Sequence, residues 1–208
     1  MSTATMTPET TAPPDTPAQP DPQARRRFTA DEYQPMGAAG IMADQERTEL
    51  IDGEISTMAR IGSLHSAVVS ASNKRFVLGV RDRAVVRVQA PIHLSDQTEP
   101  GPDVALVRPR ADDYRGSHPV PAEVFLLVEV MDSSARHDRL VKLPRYALEG
   151  VAEVWLVDPP GGFLETCRNP VGDAYTEQRS YRHGDLVAAA AFPDLVLDAA
   201  IFLGRPEI

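Results

Sequence analysis

The chain has a single cysteine, Cys167, and only two lysines, Lys74 and Lys142, against nineteen arginines. One thiol closes no internal disulfide and builds no thiolate metal site, so Cys167 reads as a small packed side chain. No stretch approaches the roughly 18 apolar residues of a membrane span. Arg25-Arg26-Arg27 is followed by Phe28-Thr29-Ala30-Asp31-Glu32-Tyr33 rather than by an apolar segment, which argues against twin-arginine export. A soluble, cytoplasmic protein without a membrane partner is the expectation. A Gly-rich phosphate loop and a Gly-x-Ser-x-Gly elbow are both missing, and His93, His118, His137 and His183 show no zinc-type spacing. The formal charge of -9 argues against nonspecific coating of DNA, which draws its affinity from cations on phosphates. A local basic groove stays open: Arg81, Arg83 and Arg87 with Arg136, Arg139 and Arg145 are its candidates, and plain surface charge is the alternative.

Six prolines lie among Thr, Ala and Gln before position 27, with almost no large apolar side chain, so residues 1–26 are expected to be a disordered tail. Residues 27–208 are long enough for one domain with a sizeable core. Phe28 to Met36 reads as a short helix with Thr29 and Glu32 forming a capping box. Glu49 to Ile55 reads as a hairpin hinged at Asp52-Gly53, a pair that tolerates positive φ. Leu64 to Leu78 is a predicted helix that Ser63 would cap. Strands are predicted over 84–90, 103–107, 124–130 and 153–158, with an antiparallel pair over 163–168 and 174–181 and a last short element after Phe192-Pro193-Asp194-Leu195. Asp138 to Leu148 reads as a helix closed by Gly150, and Pro144 inside it predicts a kink or a later start. The crossover from Val130 through that helix to Val154 is long enough for parallel pairing. The order implies an α/β (α+β) fold with a mixed central sheet flanked by helices.

Chemistry enters at Val124-Phe125-Leu126-Leu127-Val128-Glu129-Val130, a near-continuous apolar run that carries one carboxylate. An ionised Glu there loses hydration worth several kcal/mol unless a cation compensates it. Asp103 stands at the mouth of another strand, so the two acids can converge at a sheet edge. With a strand carbonyl such as that of Val130 and several waters, they would suit Mg2+ or Mn2+. Lys142 on the following helix could reach the same place and hold or deprotonate an attacking water, an arrangement suited to metal-assisted phosphodiester hydrolysis. A blander reading also stands. Asp138, Lys142, Arg145 and Glu149 fall on one stripe of a regular helix and could form a solvated ion-pair ladder, and Asp103 after Pro-Gly-Pro could be a turn residue.

These residues resemble a known family. Glu49-Leu50-Ile51-Asp52-Gly53-Glu54-Ile55, Pro102-Asp103-Val104, Val128-Glu129-Val130, Asp138 with Lys142 and Tyr146, and the run from Gly150 to Pro159 look like the Uma-type restriction endonucleases, part of the PD-(D/E)xK nuclease superfamily. The likeness runs in order from about Arg27 to Gly204. It implies a restriction-endonuclease-like core, metal-binding acids at Asp103 and Glu129, a supporting acid at Glu49, and DNA as substrate. The strict motif places lysine two residues after the glutamate, where this chain has Met131; Lys142 on the helix is the matching position. Asp132-Ser133-Ser134 and Pro144 depart from the family pattern. Asp132 is read either as a turn or cap residue or as an extra water or metal contact. His65 matches a histidine of similar sequences and reads as a helix-start hydrogen bond or as a contact to phosphate or to the metal shell. The expected function is a Mg2+- or Mn2+-dependent endonuclease cutting DNA. The alternative is a catalytically degraded nuclease fold that serves as a binding module for nucleic acid or protein, and a hydrolase for another phosphate ester is a third reading. A second copy is a candidate partner, since both strands of a duplex must be cut, although no stretch declares an interface.

Overall fold

Local signals set the first elements as expected. The computed structural model describes residues 25–42, 47–58, 60–132 and 134–204. The expectation for the tail therefore falls, for residues 1–24, outside the described residues. Thr29 accepts from Glu32 N–H while Glu32 accepts from Thr29 N–H, completing the capping box of α1 (Ala30–Ala38). Strands β1 (Thr48–Ile51) and β2 (Glu54–Thr57) pair antiparallel about Asp52 and Gly53, whose φ values are 50° and 75°. Two successive positive φ values match the right-handed twist of the flanking strands.

Helix α2 spans Ser63–Val80. Ser63 lies inside it rather than capping it, and Gly62 is the N-cap without a side-chain bond. The buried stripe is Val68, Val69, Ser72, Phe76 and Val80, at helical spacing, whereas Leu64, Val77 and Leu78 are exposed.

The central sheet has six strands in the order β3-β4-β5-β6-β7-β8: Val85–Val88, Val104–Val107, Val124–Val130, Glu153–Asp158, Phe163–Val171 and Ala174–Tyr181. Only β5 and β6 run parallel, through the expected crossover, and the other neighbours are antiparallel. Strands β4 to β6 are buried on both faces, which explains their unbroken apolar runs. On one face α2 and α5 (Ala200–Leu203) pack through Phe76, Trp155 and Phe202, whose ring centroids lie 5.3–5.9 Å apart. Trp155 is thus core, and its indole N–H donates to Glu153 at 2.6 Å. The other face holds a second cluster that includes Leu127, Met131, Leu143, Tyr146 and the buried Cys167. Two short strands, β9 (Leu186–Val187) and β10 (Leu197–Asp198), pair antiparallel and add Val187 and Leu197 to the cluster on the α2 face.

The predicted helix at 138–148 begins earlier and is not uniform. Ala135–His137 (α3) is α-helical, Asp138–Lys142 is a π-helical turn, and Leu143–Leu148 (α4) is α-helical again. The Leu143 N–H donates to the Asp138 carbonyl, five residues back. Pro144 supplies the cause: it has no N–H for the Leu140 carbonyl, and its ring would strike that carbonyl in a regular helix. A widened turn relieves the clash.

Candidate active site

Strand alternation aims Leu127, Glu129 and Met131 at one face of β5. Leu127 and Met131 enter the second core cluster, and Glu129, 2% exposed, lies between them. Met131, at the position where the strict motif has lysine, is therefore a core side chain. The cation comes from the π turn. Lys142, also 2% exposed, places Nζ 3.0 Å from Glu129 Oε1, 3.3 Å from Glu49 Oε2 and 3.7 Å from Asp138 Oδ1. Tyr146 adds a hydroxyl that donates to Glu129 Oε1 at 2.5 Å.

This burial removes the solvated-ladder reading. Asp138 and Lys142 point inward, while Arg145 turns outward to Asp52 across the hairpin. Asp138 accepts from Ser134 Oγ at 2.6 Å. Glu49, at the start of the hairpin, meets His137 Nε2 at 2.9 Å through Oε1.

Asp103 is buried at the entry of β4, where Oδ2 accepts the Val130 N–H at 2.8 Å. It thereby ties the mouth of β4 to the end of β5, more than a turn residue does. All four expected side chains, Glu49, Asp103, Glu129 and Lys142, together with Val130, line one cavity of about 470 Å³. Arg47, Arg60, His65, Asp132, His137 and Asp138 line it too.

Electrostatics follow from crowding acids in a dry place. Burial, with the nearby Glu129 charge, pushes the Asp103 carboxyl up to about 6. Burial also pushes Glu129 up to about 7, against the opposing pull of Lys142. Asp138 is raised by burial as well. For Lys142, burial disfavours the ammonium, but Glu129, Glu49 and Asp138 outweigh it and raise its pKa. These acids favour the ammonium form of Lys142, a buried positive charge that donates hydrogen bonds.

Four carboxylates face one ammonium here, so the donor set fits a hard divalent cation. Among the described residues no three His, Cys, Asp or Glu side chains are already gathered at ligand spacing. Lys142 Nζ stands within 3.7 Å of three of the acids and supplies the local positive charge.

Several expected participants lie elsewhere. Arg83 pairs with Asp194, Arg87 sits over the Tyr114 ring, and Arg139 meets Glu165 at 2.6 Å, so none of these three lines the cavity. The lining guanidinium groups belong to Arg47 and Arg60, which no sequence spacing singled out. Asp132 is exposed at the cavity rim, two residues before the helix cap at Ser134, and is not itself that cap. Asp138, which the family resemblance and the helical stripe had already marked, lies in the π turn, and His137 lies just before it in α3. For His137 the one visible signal was its closeness to Lys142.

A family model described as "Uma2: Putative restriction endonuclease" matches residues 30–200. The fold is similar to the crystal structure of "a putative nuclease belonging to DUF820" from Anabaena variabilis, with a TM-score of 0.64 and 16% identity, covering 85% of this chain and 97% of that one. At that identity the likeness is one of fold. Nothing among curated proteins matches the chain. No helix among the described residues is long and apolar enough to cross a membrane.

Proposed function

We propose that this chain, which belongs to the Uma2 family of restriction-endonuclease-like proteins, is a nuclease that hydrolyses DNA phosphodiester bonds with a Mg2+ or Mn2+ ion. The observation that carries the reading is a pair of buried carboxylates, Asp103 and Glu129, raised to about 6 and about 7 beside a buried ammonium in one cavity. Acids that hold their protons this tightly without a metal would gain most from a divalent ion.

Asp103 through Oδ1, Glu129 through Oε2 and the Val130 carbonyl would hold it, because Asp103 Oδ2 and Glu129 Oε1 already accept protein hydrogen bonds. When bound, such an ion neutralises phosphate charge and acidifies a water. Lys142 supplies a fixed ammonium beside the reacting phosphate and orients the attacking water by donation. Glu49 holds both Lys142 and His137 and so sets the angle of the ammonium. Arg47 and Arg60 on the cavity wall would meet flanking phosphates.

Incubating the protein with supercoiled plasmid and Mn2+ or Mg2+ checks the proposal. Nicked and linear products are expected, and Asp103→Ala and Glu129→Ala should each reduce them at least ~100-fold, in line with loss of an electrostatic catalytic group. Undiminished cutting by either variant overturns the assignment. Mn2+ binding by calorimetry that ignores Glu129 would favour the non-catalytic binding module.

A further inference from the structure

His137 ends α3 directly before the π turn, and it lines the same cavity as Asp103, Glu129 and Lys142. Its Nε2 lies 2.9 Å from Glu49 Oε1, and among the described residues Glu49 is the imidazole's one polar partner. A carboxylate only accepts, so the nitrogen facing Glu49 carries the proton and Nδ1 keeps its lone pair. The side chain of His137 is 37% exposed and that of Glu49 3%, so a buried acid holds a half-open imidazole by one edge. An acid placed in this way fixes the tautomer and angle of a base and stabilises the imidazolium that forms.

The other groups of the cavity have different commitments. Lys142 is kept as ammonium by Glu129, Glu49 and Asp138, so it donates to a water and takes no proton from it. Asp103 and Glu129 are assigned to the cation, and Asp138 is turned to Ser134 and Lys142. His65 lies 2.9 Å from Asp103 Oδ1 and pairs with it. Glu49 takes Lys142 on Oε2 and His137 on Oε1, so one carboxylate sets the ammonium and the imidazole side by side.

We infer that His137 is the general base of the reaction, taking a proton from the attacking water at Nδ1 while Glu49 holds Nε2–H. This rests on the nuclease reading of the preceding section. Lys142 orients the water, whose oxygen bonds to phosphorus as one of its protons passes to Nδ1. The bond from phosphorus to the leaving ester oxygen breaks, and the electron pair stays on that oxygen, which takes a proton from solvent. The imidazolium then sheds its proton to solvent across its exposed edge.

Plasmid cutting with Mg2+ or Mn2+ by two variants tests the assignment. His137→Gln keeps an N–H for Glu49 but has no basic nitrogen, and His137→Ala leaves room for an added base. Both are expected to cut about 100-fold or more slowly than the unmodified protein, the scale of a lost general base. Because the ring is half-open, both keep their fold and their metal binding, read as unchanged unfolding midpoints and calorimetry. Added imidazole should speed His137→Ala about tenfold or more, increasingly as pH makes more of it neutral, and leave His137→Gln unchanged. The unmodified protein under the same imidazole corrects for capture of the ion. If His137→Gln cuts at the unmodified rate, His137 only holds Glu49. If both variants are slow and imidazole restores neither, the ring serves shape and not proton transfer. Either result overturns the inference and leaves the nuclease reading standing. If the unmodified protein cuts with neither ion, both fail.

Discussion

Lys142 shows how one side chain carries both stability and chemistry. Its ammonium touches Glu129, Glu49 and Asp138 at 3.0–3.7 Å in a buried setting, so removing it leaves three acids without their cation. Breaking a buried ion pair from one side costs about 3–5 kcal/mol. Lys142→Met is expected to lose about that much in urea unfolding at pH 8. At pH 5.5 the loss should be smaller, because Glu129, already raised to about 7, takes a proton in place of the missing charge. An equal loss at both pH values would mean that the carboxylates do not respond to Lys142. The same residue shows what a sequence can reveal. One of only two lysines in an arginine-rich chain marked the position, but whether it faced water or Glu129 was undecided by spacing alone.

At the scale of elements, the π turn decides that question. A regular helix would put Asp138, Lys142, Arg145 and Glu149 on one stripe, whereas the wider turn buries the first two and leaves Arg145 to reach Asp52. Pro144→Ala supplies the N–H that the Leu140 carbonyl lacks and removes the ring that forced the widening. The expected outcome is a regular helix with Lys142 rotated away from Glu129. Metal-dependent cutting should drop about tenfold or more, on the precedent that small misplacements cost up to ~100-fold, and the unfolding midpoint should fall as well, because the buried acids lose their cation. Unchanged cutting together with unchanged nuclear magnetic resonance shifts for Lys142 would assign the π turn to another cause. The hairpin makes the complementary contribution: its Asp52-Gly53 turn fixes the register Glu49↔Ser56, and Glu49 lies buried against the helix.

For the molecule as a whole, the acid pair links folding to pH and to metal. Asp103 and Glu129 ordinarily ionise near 3.8 and 4.5, and the native state raises them to about 6 and about 7. Between about pH 4 and pH 7 the folded protein therefore holds protons that the unfolded chain has released. Their contribution is fully favourable below the unfolded values and is lost as pH rises through the folded ones. The metal-free protein should lose stability from pH 5 to pH 8 by more than an Asp103→Asn, Glu129→Gln variant does. Mn2+ should raise the unfolding midpoint more at pH 8 than at pH 5.5, since ligands must give up their protons to bind. A variant with the same pH slope would show that the pair does not titrate in this window.

Composition and local pattern on their own determined the capping box of α1, the Asp52-Gly53 hairpin, the doubly covered strand around Glu129 and the parallel crossover. Each is a short-range matter of φ tolerance, side-chain period or chain length. Only the tertiary structure decided which groups meet. His137 and Glu49 are 88 residues apart, Asp103 and Val130 are 27 apart, and His65 reaches Asp103 from a different helix. Such contacts leave no local trace, because packing of α2 and the π turn against opposite faces of the sheet chooses the partners. Arg47 and Arg60 at the cavity and Arg83 at Asp194 were likewise sorted by packing, since nothing in the spacing of surface cations says which wall they will line.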